Sequence, residues 1–366
     1  WILTLIRRES PQTTTEPSGP VVTSVTAPRL IEAQWWYGRA LCHTGSTATG
    51  LALVASAEQR ARQHHGADAH ITGVVLMNLA FARHFAGDLK HAPGPIAEAH
   101  GIAARREPID SQLRAQRRTY AVELSLLAGN TRLAEQAIAM TPYGPLPGPE
   151  RFRERLPWIN RAQAAWLELE RGLPDRAAPE LAEAVAKLAG WQMASLAARY
   201  RLHLASALMH NGKLQEAEDA AGKVLQHFQA REPRGLRIAQ AWGVLGEIHL
   251  AAGRNDQALE TADQVLSIVP ASTSIKSPNA AASFLRGKAL LRLGRADDAL
   301  PLLAAVAAYW HDFDVELSIA AETMHWHLLA LTASGVAGAG HPTVAAAPPR
   351  TFSVAAGGGR PPTAVP

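Results

Sequence analysis

Three arginines, Arg114, Arg117 and Arg118, carry the sharpest chemical suggestion in this 366-residue sequence. Their i, i+3, i+4 spacing places three guanidinium groups on one side of a helix. Such a trio is a candidate anion site for an acidic peptide or a phosphate group. The competing and preferred expectation is a solvated helix face paired with Glu107, Asp110 or Glu123, where exposed pairs contribute little. Fifteen histidines raise the question of a metal. His64-His65 and His325-x-His327 lack the three- or four-residue spacing that puts two rings on one helix face. His84 and His91 flank a turn with Asp88 as the nearby carboxylate. Packed or solvated histidines are expected. The single cysteine, Cys42, excludes an internal disulfide. Its neighbour His43 lies at i+1, off its face, so a buried apolar thiol is expected rather than a nucleophile.

Other chemistries fail on motif. No Gly-x-Gly-x-x-Gly follows a strand, and no Walker-type phosphate loop, Gly-x-Ser-x-Gly elbow or His-Glu-x-x-His is present. Gly357-Gly-Gly359 has no strand before it. The sequence therefore predicts no catalytic residues, no metal and no cofactor. A formal net charge of +4 is too small to argue for nucleic acid, and the Arg-rich stretch lacks a long stripe with stacking aromatics. No direct nucleic-acid contact is expected. Hydrophobic residues make up 47%, enough for a large core.

The elements that would position any site follow a period. Glycines after an apolar helical run stand at Gly45, Gly87, Gly129, Gly172, Gly212, Gly253, Gly294 and Gly335, spaced by 40 to 43 residues. Five residues after the first seven stand Gly50, Ala92, Ala134, Ala177, Ala217, Ala258 and Ala299. Seven residues before all eight stand Gly38, Ala80, Val122, Ala165, Ala205, Gly246, Gly287 and Leu328; twelve after the first seven come Ala57, Ala99, Thr141, Ala184, Val224, Val265 and Val306. Small residues at fixed places mean that two helices cross there. The glycine suits a left-handed residue that ends a helix before a tight turn. In the unit Ile238 to Pro270, Trp242, Leu245, Gly246 and His249 share one face, Ala252 to Asn255 form the turn, and Ala258, Ala262, Val265 and Leu266 line the second helix.

The order Trp242, Leu245, Gly246, Gly253, Ala258, Pro270 resembles the tetratricopeptide (TPR) signature. The next unit, with Gly287, Leu293-Gly294-Arg295 and Ala299, fits less fully. At about 41 residues the unit is longer than the usual 34, like the long-helix repeats of kinesin light chains and of bacterial regulator sensory regions. The resemblance implies an all-α superhelical solenoid of about seven helix-turn-helix units over residues 29–335, with a capping helix from Ala320 to Ser334. Residues 1–28 read as an apolar stub, Trp1 to Ile6, and a Thr/Pro linker. Thr141 to Pro149 and Pro270 to Asn279 read as loops, and residues 336–366 as a disordered Gly/Ala/Pro tail.

The resemblance also implies a concave groove lined by the first helix of each unit. Carried over unit by unit, its positions are Asn78, Phe81 and His84; Tyr120 and Glu123; Gln163, Trp166 and Glu170; Arg199, His203 and His210; Gln240 and Glu247; Lys288 and Arg292. Aromatic anchors with orienting polar groups suit a protein or peptide partner, with plain inter-helix core as the competing reading of Phe81 and Trp166. The family's carboxylate-clamp pattern of Lys and Asn is not matched. The expectation is a cytoplasmic protein-binding scaffold. The alternative is the C-terminal sensory or docking region of a larger bacterial signalling protein, a winged-helix regulator or a Ser/Thr kinase. Thirty Arg against six Lys suits a GC-rich bacterial source. Position 1 is Trp, so a fragment or processed product is expected, with membrane attachment only if Trp1 to Ile6 ends a truncated span.

Overall fold

The structure is a computed structural model that describes residues 27–106, 112–127, 130–139, 150–231, 236–268, 277–311 and 318–335. The apolar stub, nearly all of the linker, the Thr141–Pro149 loop and the tail lie outside the described residues. Among those described, the chain forms helices and turns, without strand. The helices pair in order. α1 (Ala27–His43) and α2 (Thr47–His65) make the first hairpin, α3 (His70–Phe85) and α4 (Pro93–Arg106) the second, α5 (Gln112–Leu127) and α6 (Thr131–Ala139) the third. α7 (Glu150–Glu170) with α8 (Pro174–Gly190), α9 (Ala194–His210) with α10 (Leu214–Gln229), α11 (Leu236–Ala251) with α12 (Asn255–Ile268), and α13 (Ser277–Arg292) with α14 (Ala296–His311) complete seven. A single helix, α15 (Ser318–Ala333), packs on α14 and closes the stack.

The periodic glycines have one job. Gly45, Gly87, Gly172, Gly212, Gly253, Gly294 and Gly335 all have φ between 75° and 95°, a backbone region costly for any residue with a Cβ. In the sixth hairpin the Gly253 N–H donates to Leu250 O (3.1 Å) and the Arg254 N–H donates to His249 O (2.9 Å). This is the Schellman pattern, which satisfies two orphan carbonyls at the end of a helix. The same pair of bonds recurs at Gly172 and Leu173, Gly212 and Lys213, and Gly294 and Arg295. The residue after each of these glycines leads into the next helix, and the small residue five positions on closes its first turn, as Ala258 N–H does on Arg254 O (3.0 Å).

Those small residues are fully buried. Ala134, Ala177, Ala217, Ala258 and Ala299 have 0% exposure, and so do Ala80, Val122 and Ala205 on the facing helices. The first hairpin uses glycine on both sides. A Cβ on Gly50 would lie 2.5 Å from Gly38 O, and one on Gly38 would lie 2.7 Å from Gly50 O. Backbone meets backbone there, and α1 and α2 can cross so closely only without side chains. Leu328, at the corresponding position in α15, is 54% exposed, because no described helix follows to cover it.

Two boundaries differ from the sequence reading. α1 starts at Ala27, inside the expected linker, and α13 starts at Ser277, inside the expected loop. Pro28 and Pro278 lie in the first turns of these helices, where proline is tolerated because its missing N–H has no partner to lose.

Each first helix touches the first helix of the next hairpin, whereas successive second helices make no comparable contact among the described residues. First helices therefore form the tighter, inner layer of a curved stack. The curvature brings distant hairpins together. Leu89, in the turn of the second hairpin, joins the core of Phe284, Leu303, Trp310 and Trp326 from the far end. Leu236, at the start of α11, packs on the core that contains Phe81 and Phe85.

Candidate functional site: the inner face of the superhelix

The inner face centres on aromatic and charged groups from several hairpins. Phe81 (α3) meets Tyr120 (α5) edge to face, with ring centroids 4.8 Å apart. The Arg39 guanidinium (α1) lies 5.5 Å from the Phe81 ring centroid and 5.9 Å from that of Tyr120, and donates to Asn78 Oδ1 at 3.2 Å. Asn78 in turn donates from Nδ2 to Val74 O at 2.8 Å, so its amide is fixed. Glu123 (α5) is buried and paired with Arg199 (α9). Trp166 (α7) stacks on His203 (α9) at 3.7 Å and donates from its indole N–H to Glu170 Oε1 at 3.0 Å. His43 (α1) packs against Phe85 (α3) at 4.4 Å. Arg237 (α11) reaches the same Phe85 ring, with its guanidinium carbon 6.0 Å from the centroid.

Electrostatics follow from this enclosure. Burial, and then the charges of Arg199 and Arg237, hold the His84 imidazole down at about 3. Burial and Arg199 hold His203 at about 3. Burial, Arg237, Arg39 and Arg199 hold His43 at about 4. All three rings are therefore neutral near pH 7. His84 Nδ1 is buried with no hydrogen-bond partner among the described residues. Arg199 is largely buried, with 24% of its side chain exposed.

The expected groove residues thus divide. Phe81, His84, Glu123 and Trp166 are buried between the first helices, and the half-buried Tyr120, Glu170, Arg199 and His203 lie against them through the contacts above. Gln163 has 0% exposure and donates from Nε2 to Thr119 O at 2.7 Å; it braces α7 on α5 and offers nothing to a partner. Lys288 is likewise buried, held by Glu247 at 2.6 Å and Glu322 at 3.6 Å across the Phe284 ring. Arg292 donates to Leu250 O at 3.2 Å and lies over Trp326. These polar groups hold neighbouring hairpins together. Gln240 is half-buried on α11, and His210 is exposed at the end of α9, apart from the cluster.

The arginine trio needs correction. Arg117 and Arg118 are 2% and 3% exposed, so they form no solvated face, and they point to different neighbours. Arg117 donates to His70 O at 3.2 Å and crosses α3 at Gly73, where a Cβ would sit 2.8 Å from its Nη1. Arg118 donates to Asn160 Oδ1 on α7. Arg114 is half-buried on the same helix. The i, i+3, i+4 pattern is real, but the stack covers both sides of α5. Glu123 serves Arg199 instead.

Cys42 is 2% exposed with its thiol pushed up to about 11 by burial, and its Sγ packs at the Gly50 crossing. Such a thiol stays protonated and fills space. Among the described residues no group of three or more His, Cys, Asp or Glu could hold a metal ion, and no helix is long and apolar enough to cross a membrane.

Sequence reasoning missed Arg39, His43, Phe85 and Arg237. A signal for Arg39 was present: it stands six residues before Gly45, as Phe81, Glu123, Trp166, Glu247 and Lys288 stand six before their glycines. Arg237 follows no such register. It reaches the site because the superhelix curves, which a one-dimensional period does not encode.

Family models described as tetratricopeptide repeat match residues 196–271 and 271–313. No curated protein matches the chain. Solved structures similar to it include a tetratricopeptide repeat protein from Parabacteroides merdae, at 13% identity, covering 81% of this chain and 98% of that one with a TM-score of 0.42. NprR in complex with its cognate peptide NprX is similar at 10% identity, covering 84% of each chain with a TM-score of 0.49. Yeast Tom70 is similar at 11% identity, covering 87% of this chain and 68% of that one with a TM-score of 0.48.

Proposed function

Because the chain is a tetratricopeptide-repeat protein, we propose that it is a scaffold that holds a peptide or protein segment on its inner face. The observation that carries this reading is the assembly, from four hairpins, of the half-buried Tyr120, His203 and Arg199 over the buried rings of Phe81 and Trp166. Aromatic rings with partly exposed charged groups are what a peptide needs for anchoring and orientation. His84, Glu123 and Glu170 complete that cluster, and Gln240 and His210 are further candidate contacts on the first helices of later hairpins. We assign no catalytic role to the chain, no cofactor and no nucleic-acid contact, and place it in the cytoplasm. The same face would serve a free-standing scaffold or the docking region of a larger bacterial signalling protein.

Site-specific photo-crosslinking tests the reading. A photoreactive phenylalanine analogue replaces Tyr120 on the inner face, or the exposed Gln226 on the second helix of the fifth hairpin. Irradiation in the source cells should give a discrete adduct from position 120 and none from position 226. Adducts confined to position 226 would place the partner on the outside and refute the proposal. The mass and identity of the adduct would separate a free scaffold from a docking region.

A further inference from the structure

Neighbouring hairpins meet through a recurring pair of positions. Arg39, six residues before its turn glycine, donates to Asn78, nine residues before the following one. Phe81 and Tyr120 repeat that pairing as rings 4.8 Å apart, and Trp166 and His203 repeat it as a stack at 3.7 Å. The ninth position before Gly45 is Trp36. No described helix precedes α1, and Trp36 is 53% exposed. At the other end of the array, α15 carries the half-buried Leu329 at the sixth position before Gly335. Beside it, Leu328 and Met324 are 54% and 39% exposed. Among the described residues four large hydrophobic side chains are exposed, and only Leu173 lies away from these two terminal helices. One exposed apolar residue means little. The end helices of a soluble repeat array, however, ordinarily turn a polar face outward. Here both present large apolar side chains.

We propose that these two ends are the halves of one junction, and that copies of this chain join head to tail, α1 of one on α15 of another, with Trp36 set against Leu329 and Leu328. The register says what covers Trp36. At the three junctions above, the ninth position is met by the sixth position of the preceding first helix. Trp36 therefore calls for the last first helix of a repeat stack. α15 is such a helix, and its sixth position is an apolar leucine that suits an indole. Stacking on Trp35, with ring centroids 4.3 Å apart, holds the Trp36 ring in place for that contact. Trp36 and Leu328 both remain exposed, so they do not cover one another within a single chain. Tryptophan is also enriched among the residues that carry the energy of protein interfaces. The contact joins two different surfaces, so each joined copy still offers a free α1 or a free α15, and the assembly grows. The inference does not rest on the peptide reading, since the junction lies at the ends of the array.

Sedimentation velocity of the full chain across a wide concentration range tests this, with Trp36→Glu and Leu328→Glu as variants. Both side chains are exposed, so each variant should keep the melting temperature of the parent when both are measured dilute. The weight-average mass of the parent should climb with concentration and pass that of a dimer. Each variant alone has one end blocked in every copy and should stay monomeric. An equimolar mixture of the two should form dimers and stop there, because each pair retains one intact α1 and one intact α15 to join. If Trp36→Glu still associated while Leu328→Glu did not, α15 would be pairing with itself; the converse result would pair α1 with itself. Either outcome overturns the head-to-tail junction. A parent that is monomeric at every concentration, association that survives both substitutions, or a mixture that stays monomeric would overturn it as well.

Discussion

Gly50→Ala should destabilise the protein, although the same change at Gly222 should stabilise it. Both glycines lie in second helices, α2 and α10. In each case alanine improves intrinsic helix propensity by about 1 kcal/mol. At Gly222 nothing lies within 4 Å of the new Cβ, so that gain stands. At Gly50 the Cβ would meet Gly38 O and Cys42 Sγ at 2.5 Å and the Cys42 backbone N at 2.9 Å. Two of these atoms are backbone and cannot rotate away, so α1 and α2 must separate. Overpacking of this kind costs about 1–3 kcal/mol, and the separation also weakens dispersion contacts along the crossing. The net expectation is a loss of about 1–2 kcal/mol for Gly50→Ala and a gain of up to about 1 kcal/mol for Gly222→Ala. Urea unfolding followed by circular dichroism at 222 nm reads both. If Gly50→Ala matched the stability of Gly222→Ala, the claim that the first hairpin depends on a glycine–glycine crossing would fail.

Ala258→Leu, at a residue with 0% exposure, should lose about 1–3 kcal/mol by the same overpacking, read as a lower urea midpoint. Gln192 holds φ at 58° where α8 gives way to α9, with its N–H on Ala189 O at 3.0 Å and that of Met193 on Leu188 O at 3.1 Å. It occupies the position glycine holds in the periodic turns, so Gln192→Gly should raise stability by about 1 kcal/mol and lift the melting temperature. The three neutral histidines predict acid sensitivity: with folded values of about 3 for His84 and His203 and about 4 for His43, the unfolded chain binds more protons from about pH 6.5 downward. Stability should therefore be full above pH 6.5 and fall as pH drops toward 4, by up to about 1.4 kcal/mol per pH unit for each ring. His84→Gln should make the profile shallower, and an unchanged slope in urea titrations would refute the assignment. Lys288→Met should cost less than Glu247→Ala, because Glu247 and Glu322 are partly exposed and can rehydrate, whereas Lys288 is buried and cannot; paired melts decide the order.

Legibility followed the range of the interaction concerned. The turn glycines and crossing alanines answer to local geometry repeated in every unit, and Gly253, Ala258 and Gly246 could be read directly. The division of the groove positions was harder. Trp166 and Gln163 lie one turn apart on α7 and read alike, as inner-face candidates. Both are buried, but Trp166 backs the half-buried His203 of the cluster, whereas Gln163 is spent on Thr119. That difference depends on how closely α7 meets α5, a quantity set by packing between hairpins. The Arg114, Arg117 and Arg118 trio misled for the same reason: a solenoid covers both flanks of each helix, so a charged stripe need not face water. Arg237 was the least legible, since its neighbours Phe85, His84 and His43 stand more than 150 residues away in sequence.

The contact of Leu89 with the far hairpins changes what kind of object the array is. A linear stack can gain or lose a unit at modest cost, because each unit answers only to its neighbours. Here the second hairpin also answers to the seventh, through Leu89 and through Asp88, whose charge is felt by Tyr309. The number of units is then fixed by closure, much as the number of staves is fixed in a cask. Removing one hairpin would break a contact five units away, and unfolding should spread through the whole array rather than fray from an end. A molecule built this way resists stretching, and its inner face keeps one width.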